Sequence, residues 1–275
     1  MHEGLRNRYY IRMSQDATST SKTLSVQHVS EQRLKPYLEY SYDDQQIAML
    51  LYELDRRLSA EIFYEIGILE VALRNAVDRY LTSVYGYAWV SNLALPIDQR
   101  TTESFHEAWD SLPADRRREN MEVNGKLKGR VLAASMFRTW SNLFDKGGPS
   151  GHPAPRDRAD HDLIWTEQAL KSVFPGAARI AGRAGAKSDR EWTHRQIKEV
   201  HVLRNRIAHH ESLIDGYPLP GQEPTENSNP VKRSATESLN ACRTLAKMID
   251  ANLARFLSEN SAAENLLARI EGAKP

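Results

Sequence analysis

Apolar side chains recur every three or four positions over long stretches of this chain, which is the period of an amphipathic α-helix. The pattern predicts one helix from Asp43 to Leu58 and a second helix over residues 60–82, with Ser59 as the N-cap between them. The second apolar series continues for about five turns. The apolar positions are Ile47, Leu50, Leu51, Leu54 and Leu58 in the first helix and Phe63, Ile66, Leu69, Leu73, Val77 and Leu81 in the second.

Glycine and proline divide the rest of the chain into further helical stretches. No segment shows the alternation of a β-strand, so the pattern predicts an all-α fold. Two long loops, at residues 145–160 and 215–230, connect helices, and residues 1–30 are expected to form a flexible N-terminal segment before a single domain over residues 31–275. The other predicted helices lie at about 100–110, 131–144, 162–184, 189–210 and 234–257.

The composition is that of an ordinary globular protein, with 275 residues, 40% apolar and 27% charged side chains. A single cysteine, Cys242, excludes an intramolecular disulfide and a thiolate metal cluster, and it is typical of a reducing compartment. No apolar run reaches the roughly 18–20 residues of a membrane span, and the first residues lack the apolar core of a signal peptide. We therefore expect a cytoplasmic protein that is not inserted in a membrane.

Positive and negative charges nearly balance, with 37 Lys and Arg against 36 Asp and Glu. The net charge of +1 gives no global attraction to a polyanion, so an anionic partner has to bind at a local basic surface. Residues 171–206 supply one, because nine basic side chains there outnumber three acidic ones. Residues 31–70 show the reverse bias, nine acidic to four basic, so these two segments could attract each other within one chain or between two copies.

Familiar cofactor and hydrolase motifs are missing from the sequence: it has no Walker phosphate loop, dinucleotide glycine fingerprint, His-Glu-x-x-His or Gly-x-Ser-x-Gly. Four histidines cluster near one another, but His194 and His201 lie about 10.5 Å apart along a helix axis. The adjacent His209 and His210 diverge by about 100°. Since neither pair can chelate one ion, we expect neither a metal nor a cofactor.

A permanent cation, an amide and two imidazoles meet near the predicted end of a helix, in the segment Leu203–Glu211. Arg204 offers a planar fork of donors that suits phosphate oxygens, and Asn205 can orient a neighbouring side chain. His209 and His210 can take or give a proton near neutral pH. This combination is typical of phosphate chemistry, and we expect it to form a catalytic site.

Helix geometry limits how these groups can meet. Arg204 and His209 are five positions apart, which is about 140° around a helix and about 7.5 Å along it. They can contact one phosphate if the helix ends or bends near Ala208, or if two copies of the helix assemble one site.

The spacing Arg204-Asn205-x-x-x-His209 resembles the signature of the HEPN superfamily, whose ribonuclease members carry an Arg, usually followed by a polar residue, and a His about four to six positions beyond the Arg. The whole string from Arg204 to Glu211 is similar to the form found in Abi-like bacterial proteins, the abortive-infection group. The resemblance covers about residues 31–257. Its other segments are Arg33-Leu34-x-Pro36-Tyr37-Leu38, then Leu69-Glu70-Val71-Ala72-Leu73-Arg74-Asn75, then Tyr85-Gly86-Tyr87-Ala88-Trp89, and Gly129-Arg130-Val131-Leu132-Ala133 with Phe137, Trp140, Leu143 and Phe144.

This resemblance implies a HEPN-like helical bundle, with additional helices and long connecting loops, that forms a homodimer and cleaves RNA without a metal. In such enzymes the 2′-hydroxyl attacks the adjacent phosphorus and leaves a 2′,3′-cyclic phosphate and a 5′-hydroxyl. Carried onto this chain, Arg204 stabilises the transition-state charge, His209 transfers protons and Asn205 orients its neighbours. His210 is the alternative proton-transfer residue.

Four more residues are expected to bind the substrate. Glu70, Arg74 and Asn75 match an earlier motif of the family and could line the same groove from the long helix. A surface ion pair and a helix cap are the equally weighted alternative for these three residues. Arg206, inside the motif, is also expected to bind substrate.

Two other functions stay open at this point. One is an inactive HEPN-like module that binds RNA, a nucleotide or a protein, and the other is a purely structural all-α protein. A nuclease should slow bacterial growth in a manner that depends on Arg204 and His209, whereas a binding module should be harmless. The expected partners are RNA, a second copy of the chain, and an antitoxin or regulatory protein of an antiphage abortive-infection or toxin–antitoxin system.

Overall fold

Helices make up most of the described structure, which confirms the predicted all-α class. The computed structural model describes residues 24–92, 94–118, 126–151, 158–219 and 232–274. Among these residues the strands form one antiparallel pair, β1 (Tyr217–Pro218) and β2 (Lys232–Arg233), which is too short to show strand alternation in the sequence. The helices are α1 (Glu31–Tyr40), α2 (Gln45–Tyr85), α3 (Gln99–Asp110), α4 (Ala114–Arg117), α5 (Lys126–Ala134), α6 (Phe137–Leu143), α7 (Glu167–Val173), α8 (Ala177–Arg183), α9 (Arg190–Ala208), α10 (Ala235–Ile249), α11 (Ala251–Asn260) and α12 (Ala263–Ala273).

The longest helix, α2, is continuous where the sequence predicted two helices. Ser59, the predicted N-cap between them, is wrong in that role, because it lies buried in the middle of the helix. The apolar series passes through Leu54, Leu58 and Ile62, all buried, so packing outweighs the small helix-propensity cost of a serine. Phe63, predicted on the apolar face, is 44% exposed. None of the described helices, α2 included, combines the length and apolarity that crossing a membrane requires.

Two predicted helices are each divided by a short turn. The 131–144 prediction becomes α5 and α6, which are separated at Ser135. The 162–184 prediction becomes α7 and α8, since the Gly176 N–H donates to the Met248 carbonyl at 3.0 Å. A Cβ at position 176 would collide with the backbone next to Met248, so glycine is required for this close approach.

The remaining helix predictions have mixed outcomes. The 100–110 and 189–210 predictions are confirmed as α3 and α9, with ends that agree within about two residues. The 234–257 prediction becomes α10 and α11, because Asp250 takes an extended backbone between them and its side chain accepts hydrogen bonds from the first turn of α11.

Contacts divide the described chain into two compact units, residues 24–53 with 273–274 and residues 54–272. In the first unit, the Tyr37 and Tyr52 rings pack edge to face with centroids 5.4 Å apart. Compactness alone does not show that a unit folds independently, so the single domain over residues 31–275 stays a prediction.

Three loop predictions fall partly outside the described residues. The predicted flexible segment, residues 1–30, is described only from residue 24, and Val26–His28 within it forms a 3₁₀ turn. Residues 152–157 of the first predicted loop and 220–230 of the second lie outside the described residues.

Helix α9 packs against α6 and α10 in the core of the second unit. It buries Ile197, Val200 and Leu203 toward these neighbours. The aromatic side chains of α6, Phe137 and Trp140, are fully buried. This confirms the prediction from their helical spacing that they pack in the core and do not form a base-stacking surface. The opposite face of α9 therefore remains for polar side chains.

Candidate functional site

The C-terminal end of α9 carries the predicted catalytic residues. The helix begins after Asp189, whose carboxylate accepts a hydrogen bond from the Trp192 N–H at 2.8 Å. It ends at Ala208, with His209 as the residue that caps it. Convergence of Arg204 and His209 within one chain requires a helix end at this position, and the structure has one.

A Schellman motif closes the helix and sets the position of both imidazoles. The His210 N–H donates to the Ile207 carbonyl at 2.9 Å, and the Glu211 N–H donates to the Arg206 carbonyl at 3.0 Å. His210 has a φ of 56°, the left-handed conformation in which this motif usually places glycine. Both His209 and His210 are exposed at the turn.

The strained backbone at His210 leads to a stability prediction. A His210→Gly variant is expected to raise the free energy of unfolding by about 1 kcal/mol, because glycine takes a positive φ without a Cβ penalty. A His210→Ala variant keeps the Cβ, so it is the matched control and should show no such gain. Urea denaturation measures both, and a His210→Gly variant no more stable than His210→Ala would contradict the strain argument.

The loop after the helix is anchored to α2 by a buried carboxylate. Asp55 is fully buried, and its Oδ1 accepts a hydrogen bond from the Leu213 N–H at 3.2 Å. The Arg56 Nη2 donates to Asp55 Oδ2 at 2.6 Å and to the Glu211 carbonyl at 2.8 Å. These contacts fix the chain immediately beyond His210, so the two imidazoles are presented by a held loop.

Arg204 is a half-buried cation in the last turns of α9, five positions before His209. Its Nη1 lies 3.5 Å from Asn205 Oδ1, which is a long hydrogen bond. In the part of the chain that the structure describes, no carboxylate lies within ion-pair distance of Arg204. The His209 N–H donates to the Asn205 carbonyl at 3.0 Å, so Asn205 and His209 are neighbours on one helix face. Asn205 thus contacts Arg204 through its side chain and His209 through its backbone carbonyl.

Arg206, predicted to bind substrate, has partners at the same helix end. Its Nη1 pairs with Glu211, and its guanidinium carbon lies 5.9 Å from the centroid of the Tyr217 ring. The Tyr217 hydroxyl is hydrogen-bonded to Ser238 at 2.8 Å, and burial raises the pKa of Tyr217 to about 12. Arg206 therefore helps to hold the helix end, and Arg204 is the better placed cation for an anion.

Glu70, Arg74 and Asn75 lie on α2, away from the end of α9. Glu70 pairs with Arg74 at 2.7 Å, and Arg74 Nη1 donates to the Ala133 carbonyl at 3.0 Å. Asn75 is exposed within the helix and does not cap it. Glu70 is about 22 Å along α2 from Asp55, so the described contacts do not bring these three residues to the imidazoles of the same chain.

A second polar cluster, which sequence reasoning missed, lies at the start of α3. His161 is fully buried, its Nε2 accepts a hydrogen bond from the Asp98 N–H at 3.3 Å, and its Nδ1 donates to the Asp145 carbonyl at 2.9 Å. Arg100 bridges the Asp98 and Asp145 carboxylates. His161 is 16 positions from Asp145 and 63 positions from Asp98, and the three residues share no motif. The sequence therefore carries no signal for the cluster.

The carboxylates and imidazole of this cluster lie within 4.8 Å of one another, a donor set that could hold a cation. Their atoms are already engaged, since Asp98 Oδ1 also accepts from a backbone N–H of α3 at 3.0 Å. Burial raises the pKa of Asp145, but hydrogen bonds from His161, a backbone N–H and Arg100 outweigh it and hold that pKa well below its usual range. The cluster is best explained as a tie between the chain after α6 and the start of α3.

A cavity of about 730 Å³ opens beside this tie. Arg190 and His194, on the first turns of α9, line one side of it. Burial lowers the pKa of His194, and the nearby Lys198 and Arg190 lower it further against the attraction of Asp145. The protonated form of His194 is therefore disfavoured.

Comparisons of this chain with protein-family models, with curated proteins and with solved structures find no match. The function is therefore inferred from the chain's own residues and contacts.

Proposed function

We propose that this protein is a metal-independent endoribonuclease whose active site lies at the C-terminal end of α9. One arrangement carries the proposal: the exposed His209 and His210 follow Arg204, a half-buried guanidinium that no described carboxylate neutralises. A cation and proton-transfer groups at one helix end match the needs of phosphodiester cleavage.

In the proposed reaction, the RNA 2′-oxygen bonds to the adjacent phosphorus while the bond from phosphorus to the 5′-oxygen breaks. An imidazole takes the proton of the 2′-hydroxyl, and an acid gives a proton to the departing 5′-oxygen. His209 is the first candidate for proton transfer, with His210 or the His209 of a second copy supplying the other step. Arg204 stabilises the charge on the phosphate oxygens, and Asn205 orients Arg204 and His209.

Membership of the Abi-like group of the HEPN superfamily is part of this proposal. It is supported by the Arg204-Asn205-x-x-x-His209 spacing and by the all-α class of the fold. An antiphage or toxin–antitoxin role, a cytoplasmic location and control by an antitoxin or regulatory protein follow from the same resemblance and stay predictions.

A homodimer that brings two copies of the α9 end around one groove also belongs to the proposal. The exposed apolar side chains Phe63, Tyr64 and Val71 on one side of α2 are compatible with burial against a second copy. Sedimentation equilibrium distinguishes the 31.3 kDa chain from its dimer.

Cleavage of RNA in the presence of EDTA is the decisive experiment. The purified protein is expected to cut a defined single-stranded RNA without divalent metal and to leave 2′,3′-cyclic phosphate ends, which resist alkaline phosphatase until acid opens them. A strand with 2′-deoxyribose throughout should stay intact, because it lacks the attacking group. RNA binding without cleavage would instead support the inactive binding module, and products with 3′-hydroxyl ends would refute the mechanism.

A further inference from the structure

The part of α9 before Arg204 carries further basic groups. Lys198 is three positions before the buried His201 and Arg204 is three positions after it, so each lies about 60° around the helix from His201, on opposite sides of it. Lys198 is half-buried, and no carboxylate pairs with it among residues 24–92, 94–118, 126–151, 158–219 and 232–274.

Arg138, on helix α6, adds a third cation near His201 of α9. The Phe137 ring, at the start of α6, stacks on the His201 ring with centroids 5.8 Å apart and planes inclined by 21°. Arg138 is the next residue, and its side chain is 53% exposed. Its pair with Glu107 is long, at 3.7 Å, and more than half exposed on both sides, so it contributes little.

The acidic side chains of α9 do not cancel this charge. Glu191 pairs with Arg195 at 2.8 Å, and Glu199 pairs with Arg233 at 2.8 Å. The two acids are thus each engaged by an arginine outside the group formed by Arg138, Lys198 and Arg204. That group leaves a local excess of positive charge.

The buried His201 lies among these three cations. Burial, together with the charges of Lys198, Arg204 and Arg138 and with His194, lowers its pKa to about 4. His201 is therefore neutral at physiological pH, and the positive charge at this point comes from the three basic side chains around it.

We propose that Arg138 and Lys198 bind a backbone phosphate of single-stranded RNA next to the phosphate held by Arg204. Lys198 lies about 9 Å along the helix axis and about 120° around it from Arg204, so a strand that contacts both runs obliquely across α9. This inference rests on the proposed endoribonuclease function. It predicts that the RNA strand runs from the C-terminal end of α9 toward the start of that helix. Phosphate contacts of this kind position a strand without reading its bases.

The test is an RNA-binding measurement that does not depend on cleavage. A fluorescein-labelled single-stranded RNA with methylated 2′-hydroxyls cannot be cut, and its fluorescence anisotropy reports binding at several NaCl concentrations. The Arg138→Gln/Lys198→Gln double variant is expected to bind about tenfold more weakly at low salt. Loss of one phosphate contact should also reduce the slope of log affinity against log salt by about 0.7. With cleavable RNA, the KM should rise and kcat should change little.

The matched control is Arg255→Gln/Arg269→Gln, which removes two exposed arginines of α11 and α12, outside the basic segment 171–206, and makes the same charge change. This control should bind like the unchanged protein, and equal losses in both double variants would overturn the inference in favour of general charge attraction. Unchanged affinity and salt slope in the Arg138→Gln/Lys198→Gln variant would also overturn it, while continued cleavage would leave the proposed function standing. Absence of both RNA binding and cleavage in the unchanged protein would overturn the two together.

Discussion

An alanine at position 204 is expected to lower the rate of RNA cleavage about 10²–10³-fold, because the guanidinium stabilises transition-state charge in our proposal. His209→Ala should lower the rate about 10²–10⁴-fold through loss of a positioned proton-transfer group. Neither change should unfold the protein. The hydrogen bond from Arg204 to Asn205 is long, at 3.5 Å, so its loss should cost little stability, and the His209 side chain is exposed. Single-turnover cleavage of labelled RNA measures the rates, and thermal melting followed by circular dichroism checks the fold.

Two further variants sharpen this prediction. Arg204→Lys keeps the charge but loses the planar fork, so it should recover part of the rate. Arg255→Ala removes an exposed arginine from α11 and should cleave RNA at the unchanged rate. Wild-type rates in both Arg204→Ala and His209→Ala would remove the active site proposed here.

The long helices were predictable from the sequence where an apolar series and its breaks are local. The end of α9 near Ala208 is such a case. The division at Gly176 was not predictable, because it depends on a hydrogen bond to Met248, far away in the sequence. Ser59 shows the opposite error, since a local capping signal is overruled by continuous packing along α2.

The candidate site follows the same division between local and distant signals. The order of Arg204, Asn205 and His209 is written in consecutive residues, so a motif could identify them. The anchor at Asp55 lies 158 positions from Leu213, and no pattern in either segment announces the contact. The parts that determine how rigidly the imidazoles are held are therefore visible only in the folded chain.

Removal of the Asp55 carboxylate is expected to have the largest effect on stability of the changes considered. Asp55→Ala should lower the free energy of unfolding by about 3 kcal/mol, because it leaves the buried Leu213 N–H and the Arg56 guanidinium without this acceptor. For a chain of this size the melting temperature should fall by about 6–12 °C. Cleavage should also slow below that temperature, since the loop that carries His209 and His210 loses its anchor to α2.

Asp115→Ala is the matched control, because it also removes a carboxylate beside an arginine but at an exposed position. The Asp115 side chain is 73% exposed and lies 3.3 Å from Arg116, so its loss should change stability by less than about 0.5 kcal/mol. Asp55→Asn retains an acceptor for the Leu213 N–H while losing the charge, and its stability should fall between those of Asp55→Ala and the unchanged protein. If Asp55→Ala melted with the Asp115→Ala control and cleaved RNA at the full rate, the buried carboxylate would have no part in holding the helix end.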